Sequence, residues 1–189
     1  MTPMPTPGAE GVAKTMEVVL RFGRESLDIE QRETSIKVTP LEDDSFPIMV
    51  YDEGDEAMIA AERWHTHYDD PLQVAFCALW LLTPFYRVVH ETKGGVLVAA
   101  WIERYEETGW EGFEPVYFLN PEHEDSWIAA PGETFQRRYF QQAVASPPGP
   151  YEKFCPGAKL DEDGLPPDWQ HGSWVVTADS AVGPSLADA

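Results

Sequence analysis

Asp70-Pro71-Leu72-Gln73-Val74-Ala75-Phe76-Cys77-Ala78-Leu79-Trp80-Leu81-Leu82-Thr83-Pro84 is the stretch on which the fold turns. Asp70 has the short acceptor side chain of an N-cap. Pro71 suits the first helical position, where its missing N–H leaves no bond unmade. Pro84 ends the run, because its ring clashes with the preceding turn. Between them lie about ten apolar residues, too few for the roughly twenty that a bilayer crossing requires. The spacing therefore predicts one helix over 72–82, apolar nearly all round and covered on most sides.

Directly after it, 85–91 and 96–105 flank Thr92-Lys93-Gly94-Gly95, and the two glycines supply the positive φ of a tight hairpin turn. Val96, Val98, Ala100 and Ile102 share one face, and Leu97, Ala99, Trp101 and Tyr105 the other, so this strand is expected to be central. Further strands are read at 16–22, 35–40, 47–51, 114–119 and 134–142, with turns at Glu42-Asp43-Asp44-Ser45 and Glu53-Gly54-Asp55. The segment 56–68 fits either period and is read as one strand, on the alternation of Met58, Ala60, Glu62 and Trp64 against Ile59, Ala61, Arg63 and His65. The result is an α+β fold: a mostly antiparallel sheet with one or two helices packed on one face.

Both ends differ from this middle. Pro3, Pro5 and Pro7 mark residues 1–15 as a flexible leader without the basic and apolar regions of a signal peptide. Residues 146–189 hold seven of the seventeen prolines and read as an irregular Pro-rich tail. Tyr151, Phe154, Trp169 and Trp174 give it the means to dock in part on a single domain spanning 16–145. Cys77 and Cys155 make neither a disulfide framework nor a zinc quartet, which points to a reduced, cytoplasmic chain.

Charge bounds the function. Thirty-three Asp and Glu against thirteen Lys and Arg leave −20 on 189 residues. Such a surface repels nucleic acid and anionic membrane and favours a basic protein partner. From 42 to 70 acids outnumber bases ten to one, and from 103 to 133 nine to one, each stretch interleaved with aromatics. Aromatic anchors ringed by charge suit an electrostatically steered interface, and Glu103, Glu106, Glu107, Trp110 and Glu111 are its expected centre. The composition is of the kind shown by inhibitors of basic nucleases and by bacterial immunity proteins, which mask a nucleic-acid-binding surface. No motif stands behind that likeness.

Two alternatives come from other classes. In a strand His65, His67 and Asp69 fall on one face, and two imidazoles with a carboxylate are a familiar ligand set for a divalent metal. His90 and His123 are further candidate ligands. Alternatively Trp64, Trp80 and Trp101 line an aromatic pocket for a small ligand. No nucleophile elbow, phosphate loop or dinucleotide fingerprint is present, so no cofactor is expected outside the metal reading. The pair Arg137-Arg138 suits an anion clamp. In so acidic a chain it is expected instead to pair with neighbouring carboxylates.

Overall fold

A computed structural model describes residues 5–23, 26–113, 117–118 and 134–178. The first element corrects the sequence reading. Residues read as a flexible leader and a strand form one helix, α1 (Pro7–Phe22). Thr6 is the N-cap, its hydroxyl accepting from the Ala9 N–H at 3.1 Å, and Pro7 begins the helix. Glu10 lies in the first turn and Arg21 in the last, each complementing the helix dipole. Gly8, Gly11, Val12, Thr15, Val18 and Val19 form its buried stripe. That 3.6-residue period runs back through the proline- and glycine-bearing segment.

The first sheet is an antiparallel meander of five strands in sequence order: β1 (Leu27–Arg32), β2 (Ser35–Pro40), β3 (Ile48–Asp52), β4 (Ala57–Ala61) and β5 (Trp64–Tyr68). Its registers set Ile36 beside Val50, Val50 beside Ile59 and Ala61 beside Trp64. These residues are buried, so one face is mainly apolar, with Thr66 a buried polar member, and lies under the helices. The segment 56–68 is thus two strands, and Glu62-Arg63 is the turn between them. Both turn residues have positive φ, +44° and +64°. Two-residue hairpins of this type favour Asn-Gly, so Glu and Arg here carry strain of about 1 kcal/mol or more each. The absence of Asn or Gly is why a continuous strand was expected.

The expected helix is present as α2 (Pro71–Leu81), with the Asp70 carboxylate accepting from the Leu72 N–H at 2.8 Å. Leu79 is fully buried, and both helices pack on the inner face of the first sheet. A second antiparallel sheet follows: β6 (Tyr86–Lys93), β7 (Val96–Glu106), β8 (Gly109–Gly112), β9 (Tyr117–Phe118) and β10 (Phe135–Gln141). β11 (Gly172–Ala178) completes it, in the order β11-β10-β6-β7-β8, with β9 also on β7. Val88, Ala100 and Ile102 face the common core, while Val89, Ala99 and Trp101 form a separate cluster on the other face. The expected strand at 114–119 falls mostly outside the described residues.

The described part of the C-terminal segment, to residue 178, docks on the body through its aromatics and also carries a strand. Tyr151, in a single 3-10 turn (Tyr151–Lys153), stacks on Phe85 at 3.8 Å between ring centres and donates its hydroxyl to the Tyr105 carbonyl. β11 pairs with β10 along its whole length. Pro147, Pro148 and Pro150 masked this, since they end regular structure locally without preventing docking by aromatics further on. No helix among the described residues is long and apolar enough to cross a membrane.

Candidate functional site

Strand parity divides the expected acidic interface between two faces of the second sheet. Glu103 is buried: its carboxylate accepts from Arg87 Nε at 2.7 Å and from Trp101 Nε1 at 3.1 Å. The Arg87 guanidinium lies over Trp110 at 4.1 Å and over Tyr139 at 4.3 Å. Trp110 in turn donates to Asp168 at 2.8 Å. Glu103 and Trp110 are therefore committed to an internal ion pair and its aromatic cover. Glu103 is closed off by that pair, whereas Trp110 keeps part of its surface exposed.

Glu106 and Glu111 lie on the opposite face. Arg104 stands across from Glu111 in the β7–β8 register, and Glu106 follows Arg104 by two residues, so all three point the same way. Arg104 pairs with Glu106 and lies over Phe113 at 4.6 Å. Glu106 also accepts from the Cys155 thiol at 2.9 Å, and burial together with this carboxylate pushes that thiol up to about 11. Cys77 and Cys155 are both buried, and neither forms a disulfide. Glu107 occupies the exposed turn between β7 and β8.

Arg104 and Phe113 border a cleft of about 410 Å³ whose other walls are Tyr68, Gln73, Phe76, Cys77, Trp80 and Tyr86. Trp80 stacks on Tyr86 at 5.6 Å, and Phe154 meets Trp80 edge-on at 5.1 Å. Burial raises the Tyr86 hydroxyl well above the usual phenol range, so it stays neutral. Phe76, Phe113 and Phe154 keep 37%, 38% and 51% of their surface exposed, and Leu72 keeps 49%. Apolar side chains gathered at an open cleft mark a contact surface more strongly than the same residues scattered singly. The sequence reading placed Phe76 in the core helix, Phe113 among the aromatics of the second acidic stretch and Phe154 among those that dock the tail, and it assigned none of these, nor Arg104, to a cleft. The all-round apolarity of α2 was the available signal, for it left one side of that helix without an assigned cover.

The metal reading places differently. His65 and His67 do share the outer face of the first sheet, with ring centres 5.9 Å apart. Asp69 lies beyond the end of β5. His67 Nδ1 instead approaches Glu53 at 3.2 Å and Glu56 at 3.1 Å, and these three are the described His/Cys/Asp/Glu side chains close enough to share one ion. His90 points its Nε2 at the Glu62 carbonyl, and His123 lies outside the described residues. The tryptophan pocket does not form as expected either. Trp64 and Trp101 are buried in different clusters, and Trp80 borders a cleft that neither of them lines among the described residues.

The acids of the first stretch divide between two places. Glu42 and Asp43 lie against His171, whereas Glu53 and Glu56 surround His67. Glu114, Glu122, Glu124, Asp125 and Glu133 lie outside the described residues. Comparison with protein-family models, with curated proteins and with solved structures yields no match to this chain.

Proposed function

We propose that this chain is a non-enzymatic acidic interaction protein. It binds a basic partner at the aromatic cleft between α2 and the β7–β8 hairpin. The observation that carries the reading is the set of three exposed phenylalanines, Phe76, Phe113 and Phe154, beside an open cleft whose sheet wall also presents Glu106 and Glu111. Apolar anchors at the centre supply affinity, and carboxylates at the rim supply steering and selection of positive charge. The net charge of −20 adds a long-range field of the same sign. Of the expected interface residues, Glu106, Glu107 and Glu111 remain in the proposal, joined by Phe76, Phe113 and Phe154.

A fluorescein-labelled amphipathic peptide of Lys, Arg and Leu tests this by anisotropy. Affinity should fall about tenfold between 50 and 500 mM salt, as screening removes the charged contacts. E107K/E111K should weaken binding at low salt by a similar factor, and F113S should weaken it at every salt concentration. D28K/E33K makes the same change in net charge on and beside β1, at the edge of the other sheet. Should it weaken binding as much as E107K/E111K, the attraction is diffuse and no interface lies at the cleft.

A further inference from the structure

Further along the same face of the second sheet, the strained Glu62-Arg63 turn borders a cleft of about 550 Å³. Arg63 and Arg138 both line it, and both are exposed. Neither has an ion-pair partner among the described residues, although acids exceed bases by more than two to one. Arg137 shows what the background would otherwise impose: it turns to the opposite face and pairs with the fully buried Glu91 at 2.8 Å. Leu97, Phe140 and Val175 supply apolar wall, and Gln136 a neutral polar group.

From this geometry we infer that the cleft is a binding site for a small amphipathic anion, a carboxylate or phosphate ester on an apolar body, held between Arg63 and Arg138. Guanidinium groups pair with the planar edge of such anions through two parallel N–H donors. Among the described residues these two arginines take part in none of the ion pairs that the chain's own carboxylates offer. The turn supports the assignment independently. Glu62 and Arg63 occupy positions where Asn-Gly would relieve the backbone, and strain of this kind gathers at functional sites. His90 braces it by donating from Nε2 to the Glu62 carbonyl, with its ring edge-on to Phe140 at 4.6 Å. Glu62 is the single carboxylate among the described lining residues. Burial raises its pKa, with Arg63 and Arg138 acting the other way.

The test is calorimetry on the full chain with phenyl phosphate, benzoate and inorganic phosphate. Saturable one-to-one binding of phenyl phosphate or benzoate is expected, with R138Q and R63Q each weakening it about tenfold. Inorganic phosphate, lacking the apolar body, should bind more weakly than phenyl phosphate. Absence of saturable binding by both aromatic probes overturns the site, as does parental affinity in both variants. Equal binding of inorganic phosphate removes the apolar wall from the proposal. E62N/R63G guards against a trivial folding defect. It should raise Tm by about 3 °C by relieving the turn, yet lose the anion. If it binds as the parent does, the turn has no part in recognition.

Discussion

Gly11→Ala decides whether the N-terminal segment belongs to the core. Two effects oppose each other. Alanine is the better helix former by about 1 kcal/mol, because glycine loses more backbone entropy on folding. Against that, a Cβ at position 11 would sit 2.8 Å from the Ala57 Cβ and 2.9 Å from Val74 Cγ1. Carbon atoms pack at roughly 3.5–4.0 Å, so both neighbours must retreat by more than half an ångström. Neither can do so easily. Both are fully buried, Ala57 has no rotamer to change, and Val74 is stiff at χ1 within α2. Overpacking costs about 1–3 kcal/mol, and two simultaneous contacts this short place Gly11 in the upper half of that range. The net expectation is a loss of about 1–2 kcal/mol, read as a lower urea midpoint with an unchanged slope. Ala13→Gly, at an exposed position of the same helix, isolates propensity and should lose about 1 kcal/mol. A G11A protein as stable as the parent would refute the packing of α1 against α2 and β4.

Two further expectations concern groups that the fold has drawn inward. Glu103→Ala should cost about 3–5 kcal/mol in urea denaturation by stranding the Arg87 guanidinium, whereas Glu107→Ala should stay within about 0.5 kcal/mol; equal effects would mean that Glu103 is a surface residue. Burial lowers the His90 pKa, so the folded state resists a proton that the unfolded chain accepts below about 6.5, and stability should fall as pH drops through and below that value. His90→Gln keeps a donor for the Glu62 carbonyl without titrating there. It should lose less stability than the parent between pH 7 and pH 5 in thermal melts, and an equal loss would exclude His90 as the cause.

What the sequence determined by itself is what short-range chemistry encodes. Asp70, Pro71 and Pro84 bound α2 because capping and the missing proline donor act within one turn, and Gly94-Gly95 (φ +58° and +82°) forms its hairpin because only local φ is at issue. Period-two alternation likewise put His65 and His67 on one face and Arg137 and Arg138 on opposite faces. Tertiary structure decided the remainder. Gly8 and Gly11 look like helix breakers until the turn between β3 and β4 closes on Gly8, and β4 and α2 on Gly11, so tightly that only glycine fits. The Glu62-Arg63 turn carries no turn signature, because pairing of β4 with β5 imposes a backbone that its residues disfavour. Which face of β7 is closed over Glu103 and which is left open beside Glu106 and Glu111 depends on what packs there, and alternation is blind to that. His67 meets Glu53 and Glu56 rather than Asp69 because chain reversal brings distant residues nearer than neighbours along one strand. Local preference sets where elements begin and end; burial against the rest of the chain selects which side chains remain available to a partner.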